Sequence, residues 1–310
     1  MAAGEDLKSR VAEAFKKLDF EKYPVEQIRR ELAAMSEKVE IPRGTTVDKV
    51  VIAGYLPAEW VKAANVPAEN EQTVLYFHGG GFAIGSCATH RNLAALISRA
   101  GGVRVLVVEY RLAPEHKFPA ANDDCLAAYR WLVGNGVPAD KIIIGGDSAG
   151  GTLTLMTLIT LRDAGDPLPA AAFMLSPPGD LIHFDGESYI SRAELDPICS
   201  LKNSQIIAGY FIGSPAEKPA ILSPIRQNLG GLPSLFIQVG DHEVLLSDSV
   251  RLAERAREAG VDVTLEVWDN MWHGFQALAA VLPEAEQAVN NIGRFIKKHL
   301  GIQAAGAAQP

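Results

Sequence analysis

One stretch constrains this chain more than any other: Lys141-Ile-Ile-Ile-Gly-Gly-Asp-Ser-Ala-Gly-Gly151. Residues 141–144 are a β-branched apolar run, which reads as a buried strand. The run enters Gly146-Asp147-Ser148-Ala149-Gly150, a G-x-S-x-G sequence, and residues 152–162 continue with helical character. Strand, tight glycine-flanked turn and helix together are the context of a nucleophile elbow. A serine on so sharp a turn crowds its neighbours, and glycine on either side removes the Cβ atoms that would clash. The hydroxyl of Ser148 is then presented at the carboxyl end of a sheet, above the amino end of a helix. That end offers free N–H groups and a partial positive charge.

The strand–helix alternation extends well beyond this point. Strands are predicted at residues 73–77, 103–109, 141–144, 170–175, 235–239 and 262–267, with helices at 90–100, 120–133, 152–162, 246–259 and 284–299. Apolar strands each followed by a helix require a mostly parallel sheet covered on both faces. Antiparallel strand material precedes them at 46–53 and 58–66, separated by a turn near Pro57. Residues 5–38 carry two sets of apolar residues at helical spacing with Pro24 between them. Residues 176–233 break the alternation and are too long for a simple loop; short helices are expected there, one around 203–211. The expected organisation is an α/β catalytic domain over 46–310, with a cap made from residues 1–45 and 176–233. The Ala/Gly-rich residues 303–310 read as a frayed tail.

Composition narrows the function. A formal net charge of −8 argues against nucleic acid or an anionic membrane surface as partner. No apolar run has the length of a membrane span and the amino terminus has no signal-peptide pattern. The three cysteines, Cys87, Cys125 and Cys199, have no metal-ligand spacing and read as reduced, buried thiols. The expectation is a cytoplasmic protein with neither metal nor cofactor.

The chemistry is carried by three further elements. His78-Gly79-Gly80-Gly81-Phe82 follows the 73–77 strand, and successive glycines let backbone N–H groups approach a ligand. A P-loop is excluded by the missing lysine and Ser/Thr. Acyl transfer needs such donors where a carbonyl oxygen becomes negative, and the N–H of Ala149, after the serine, complements them. Ser148 needs a histidine to accept its proton and a carboxylate to fix that histidine's tautomer. Asp241, at the carboxyl end of the 235–239 strand, and His273, after the 262–267 strand, stand in the required order. Glu243 and Asp248 compete for the acid, and His242 and His299 for the base. His242 is adjacent to Asp241 and badly placed to bridge it to Ser148, and His299 lies in the last turn of a helix.

On these residues the chain resembles a bacterial esterase of the hormone-sensitive-lipase family of α/β-hydrolases. The resemblance runs from about Gln72 to the end, through His78-Gly-Gly-Gly81, Tyr110-Arg-Leu-Ala-Pro-Glu-His116, Gly146-Asp-Ser-Ala-Gly-Gly151, the Asp241-x-x-Val-Leu-Leu segment and His273-Gly-Phe275. It implies the α/β-hydrolase fold, with Ser148 as nucleophile, Asp241 as acid, His273 as base, and an oxyanion hole from the Gly80, Gly81 and Ala149 amides. It implies hydrolysis of short- to medium-chain acyl esters with water as second reactant. Tyr110 to His116 corresponds to a structural turn. Ser176-Pro-Pro-Gly-Asp180 departs from the pattern, because relatives carry a tryptophan after the first proline. Phe82, Phe184, Tyr189, Tyr210, Phe211, Trp272 and Phe275 are candidates for an apolar pocket. Lactone or amide hydrolysis would use the same triad. A non-catalytic receptor of this fold is disfavoured by the presence of His273. Relatives often form homodimers through the last strand and helix, here residues 262–299.

Overall fold

The structure, a computed structural model, describes residues 2–213 and 218–303. Most of the expected tail therefore lies outside the described residues. Eight strands form one sheet: β1 (Thr46–Ile52), β2 (Leu56–Lys62), β3 (Thr73–Phe77), β4 (Arg104–Val108), β5 (Ile142–Asp147), β6 (Ala171–Leu175), β7 (Ser234–Gly240) and β8 (Val263–Trp268). Their order is β1-β2-β4-β3-β5-β6-β7-β8. β1, β2 and β4 are joined by antiparallel pairings, and all pairings from β4 to β8 are parallel. The α/β-hydrolase architecture expected from sequence is thus present.

Helices α3 (Cys87–Gly101) and α9 (Pro283–Leu300) cover one face, and α4 (Ala120–Gly134), α5 (Ala149–Ala164) and α8 (Leu246–Glu258) the other. The strand period of two sorts the apolar side chains between these layers. Leu75, Phe77, Ile142 and Ile144 pack in the α4/α5/α8 core, whereas Val74, Tyr76 and Ile143 pack in the α3/α9 core. α5 is buried almost all round, as a helix apolar on every side must be. Two of its buried hydroxyls bond to backbone carbonyls: Thr154 Oγ1 donates to Gly150 O (2.9 Å) and Thr152 Oγ1 to Pro178 O (2.8 Å).

Several boundaries move by a few residues from the sequence expectation, and two of the shifts have a clear local reason. α3 starts three residues early, because Ser86 and Thr89 form a reciprocal capping box ahead of the first apolar repeat. The β1–β2 turn is formed by residues 53–55, and Pro57 lies inside β2.

The parallel register aligns the carboxyl ends of the strands that matter. Phe77 is level with Gly146, Asp147 with Leu175, and Gly240 with Trp268. The glycine-rich loop, Ser148, the turn after β7 and the loop carrying His273 therefore leave the sheet at one edge. Over that edge lie α1 (Ala2–Phe15), α2 (Val25–Ser36), α6 (Ser188–Ser191) and α7 (Leu201–Ile212). Leu18, Phe20, Val25 and Ile28 pack on Ala83 and Ile84 and on Ile206 and Ile207 of α7. Leu7 and Val11 pack beside Trp272 and Phe275. Arg29 fixes α2 to the catalytic layer: its Nε donates to Ala83 O and its Nη2 to Ala113 O, both at 2.8 Å, and the guanidinium pairs with Glu115.

Candidate active site

Ser148 is the residue between β5 and α5, at φ 51°, ψ −123°. This region is unfavourable for any residue with a Cβ, costing of order 1–3 kcal/mol. The turn persists because its surroundings determine it. Ser148 N donates to Leu175 O at 2.7 Å, and a Cβ on Gly150 would lie 1.9 Å from Phe77 O. Ala149 opens α5, so its N–H has no intrahelical partner.

The glycine-rich loop curls beside it. Gly80 has φ +114°, and a Cβ there would meet Ile84 O at 2.2 Å. Ala83 N and Ile84 N both donate to Gly80 O, closing the loop on itself. From outside, Tyr110 Oη donates to His78 O (2.6 Å) and Ala113 N to Phe82 O (2.9 Å). The Tyr110–His116 turn thus braces the loop. The His78 ring stacks on Tyr110 with centroids 4.2 Å apart and gives its Nδ1 proton to Gly79 O (2.8 Å). Burial and the neighbouring His90 push its pKa down to about 3, so His78 is a neutral structural group.

The loop is tied to the elbow by Asp147, a role that sequence reasoning missed. Asp147 Oδ1 accepts from Gly79 N (2.9 Å) and Tyr76 Oη (2.7 Å), and Oδ2 lies 3.4 Å from His90 Nε2. Burial alone would raise the carboxyl, but His90 and Tyr76 hold it down at about 2. Burial alone would lower His90, but Asp147 holds it above its ordinary value. The Asp147 contribution to stability is present above a carboxylate's ordinary pKa and lost as pH falls toward 2. The His90 contribution is present below the ordinary histidine pKa and lost as pH rises through its folded value. Asp147→Asn would replace one acceptor oxygen with an amide donor beside Gly79 N and Tyr76 Oη, which now donate to the carboxylate. We expect it to lower kcat/KM about 10²-fold, the scale of one misplaced oxyanion donor, measured with a soluble p-nitrophenyl ester. Wild-type kcat/KM in a folded variant would refute the role.

His273 lies in the loop after β8, and its Nδ1 donates to Glu243 Oε2 at 3.0 Å. The acid expected from sequence, Asp241, is not there. Asp241 N still follows the strand ladder, donating to Trp268 O (3.0 Å). Among the described residues its Oδ1 has no hydrogen-bond partner, and His242 Nε2 is 3.9 Å away. The chain then turns, with Glu243 N donating to Gly240 O, and carries the Glu243 side chain back over the end of β7. There Glu243 Oε1 accepts from Gly240 N (2.6 Å) and Ser176 Oγ (2.7 Å), leaving Oε2 for the histidine. The carboxylate is fully buried, so these three donors are what make its burial tolerable. The available signal was its position: of the acids after β7, Glu243 is the one set by a turn and long enough to reach back. Ser176, first residue of the segment lacking the expected tryptophan, is thereby a partner of this acid.

Burial pulls the His273 pKa down, but Cys199 and Glu243 beside it outweigh burial and leave it well above the ordinary value. Cys199 therefore differs from the inert core thiol expected: it lines the site, and burial pushes its own pKa up. Cys87 and Cys125 are buried, as expected. Of the competing groups, Asp248 accepts from Gly179 N (2.9 Å) behind the site. Lys8 Nζ and His242 Nδ1 are 2.9 Å apart. The ring of His299 packs on Phe295.

Ser148, Ala149, Gly80, Gly81 and His273 share the wall of one cavity of about 960 Å³. Phe82, Phe184 and Trp272 line it, as expected. Tyr189, Phe211 and Phe275 do not: each is buried in the core behind the wall, Phe211 stacking on Phe82 at 4.0 Å. Much of the apolar lining is aliphatic, with Leu18 and Met35 from the amino-terminal segment, Ile198 and Ile207 from residues 176–233 and Leu245 from the turn after β7, together with Phe20.

An α/β-hydrolase-fold family model matches residues 74–277 of the chain. The chain is 39% identical over 258 residues to an acetyl-hydrolase of Streptomyces hygroscopicus, covering 83% of this chain and 85% of that one. It is 34% identical over 274 residues to the esterase LipU of Mycobacterium tuberculosis, covering 85% and 91%. Among solved structures, an esterase from the bacterial hormone-sensitive lipase family superposes with a TM-score of 0.89 at 40% identity, covering 95% of this chain and 98% of that one. EstE5 soaked with p-nitrophenyl butyrate gives 0.88 at 39%, covering 96% and 98%.

Proposed function

The chain belongs to the α/β-hydrolase-fold family and, within it, to the bacterial hormone-sensitive-lipase esterases; from that premise we propose that this carboxylesterase works through a Ser148–His273–Glu243 triad and an acyl-enzyme. The observation that supports the proposal is one cavity lined by Ser148, Ala149, Gly80, Gly81 and His273, with Glu243 hydrogen-bonded to Nδ1 of the imidazole. Ser148 Oγ attacks the ester carbonyl as His273 Nε2 takes its proton. The carbonyl oxygen becomes negative against the Gly80, Gly81 and Ala149 amides. The carbon–oxygen bond to the alcohol then breaks, and His273 gives its proton to the departing oxygen. Water repeats the sequence on the acylated serine: His273 removes its proton, the Ser148 ester bond breaks, and the acid leaves. Glu243 keeps the Nδ1 proton in place throughout and stabilises the imidazolium.

In this reading α1 and α2, with residues 176–233, form a cap, and the aliphatic lining they supply favours short- to medium-chain acyl groups. Each methylene buried in that lining is worth about 0.8 kcal/mol, or about fourfold in kcat/KM. For p-nitrophenyl esters we expect kcat/KM to rise from acetate to a maximum between butyrate and octanoate and to fall by palmitate. A rise continuing to palmitate, or a maximum at acetate, would overturn the chain-length reading. A stoichiometric burst of p-nitrophenol in stopped flow tests the acyl-enzyme. The reading places the enzyme in the cytoplasm, and among the described residues no helix is long and apolar enough to cross a membrane. It also includes pairing of two copies along β8, the terminal strand of the sheet, where Val267 is exposed.

A further inference from the structure

The turn that carries Glu243 is held from the cap side by one short segment. Ser188 Oγ donates to Val244 O (2.6 Å) and accepts from Ser247 N (2.9 Å), while Ser188 N donates to Ser247 Oγ (2.8 Å). Arg192 Nε donates to Asp241 O (2.8 Å). Asp196 then bridges the two: Oδ2 accepts from Val244 N (3.0 Å), and Oδ1 accepts from Ile198 N and Cys199 N (2.9 Å each). The carbonyl of Asp241, and the amide and carbonyl of Val244, are thus gripped on either side of Glu243. The segment runs on through Cys199, next to His273, into the start of α7 on the cavity wall.

We propose that Asp196 is a positioning residue for ester hydrolysis, holding the backbone of the Glu243 turn and setting a second negative charge beside His273. The inference rests on the triad reading above. The titratable groups acting on His273 are Glu243 from the β7–α8 turn and Cys199 from the cap segment, and Asp196, whose Oδ1 accepts from Cys199 N, lies within electrostatic reach of the imidazole. Burial raises the Asp196 carboxyl, His273 draws it down and Glu243 raises it again, so the three groups interact as a cluster. Asp196 accepts three backbone N–H bonds, from Val244 on the Glu243 turn and from Ile198 and Cys199 beside the site, which suits a group that positions its neighbours without touching substrate.

The test is the pH profile of kcat/KM for p-nitrophenyl butyrate. Asp196→Asn and Asp196→Thr remove the charge while keeping an acceptor. Both are expected to lower kcat/KM about 10- to 100-fold, the usual cost of losing a residue that orients a reacting group. Removing a negative charge destabilises the imidazolium, so the acidic limb moves to lower pH, by up to about one unit. Ser188→Ala breaks a neighbouring clamp of the same turn without changing charge, and its acidic limb stays at the wild-type pH. Thermal melting identifies a variant that has not folded, and the other neutral variant then carries the comparison. Wild-type kcat/KM and an unshifted limb in a folded Asp196 variant would overturn the proposal, as would an equal shift in Ser188→Ala. Ser148→Ala, run alongside, separates this from the parent reading: persistent activity there defeats the triad itself, whereas a silent Ser148→Ala with unaltered Asp196 variants defeats only the role of Asp196.

Discussion

Ser148→Ala is expected to lower kcat by about 10⁶-fold, the scale seen when a serine hydrolase loses its nucleophile. The substitution removes the oxygen proposed to form the acyl bond and leaves the surroundings in place. Alanine meets the same Cβ constraint as serine at φ 51°, so the strain of the elbow is unchanged. The backbone bond from residue 148 to Leu175 O also remains. The variant should therefore melt within a degree or two of wild type, while the p-nitrophenol burst disappears and a fluorophosphonate no longer labels the protein. Retention of more than a trace of turnover in a folded variant would remove Ser148 from the mechanism.

Glu243→Gln carries the second-largest effect, a fall in kcat of about 10⁴-fold. The reason lies in the donors around the carboxylate. Oε1 already accepts from Gly240 N and Ser176 Oγ, so the single oxygen of a glutamine stays on that side. Its NH₂ then faces His273 Nδ1, which must become an acceptor. The Nε2 nitrogen is left protonated and unable to take the Ser148 proton. Losing the carboxylate also removes a group that raises the His273 pKa, so the residual activity has its acidic limb at lower pH. Asp241→Asn serves as the contrast. Its Oδ1 has no hydrogen-bond partner among the described residues and the imidazole Nδ1 is on Glu243 instead, so kcat should stay within a few-fold of wild type. Steady-state kinetics on the two variants decides between the acids, and a larger loss in Asp241→Asn would reverse the assignment.

Much of this molecule could be read along the chain because the informative features are local. The run 141–144, the G-x-S-x-G turn and the residues after it specify strand, elbow and helix through propensities within a dozen residues. The same holds for the glycines at 79–81. Apolar strands alternating with helices are enough to require a parallel sheet, and a parallel sheet sends every strand's carboxyl end to one edge. The approach of Ser148, the glycine-rich loop and the loop of His273 was therefore implied by sequence order alone. Identifying the acid was not. Asp241 and Glu243 are two residues apart in one turn, and both follow a strand at the correct edge. The choice depends on Gly240 N and Ser176 Oγ converging on one point above β7, and Ser176 is 67 residues away in sequence. The pocket aromatics divide in the same way. Phe82 and Trp272 face the cavity while Phe211 and Phe275 lie behind its wall, because aromatic character does not specify which side of a packed layer a ring occupies. Asp147 and Asp196 belong to this second class, since each acts through backbone amides brought to it from other segments. Sequence by itself determined the elements, their order and the edge at which the chemistry is assembled. Tertiary structure decided which carboxylate meets Gly240 N, Ser176 Oγ and His273 Nδ1 at one point, because those donors come from segments far apart in the chain.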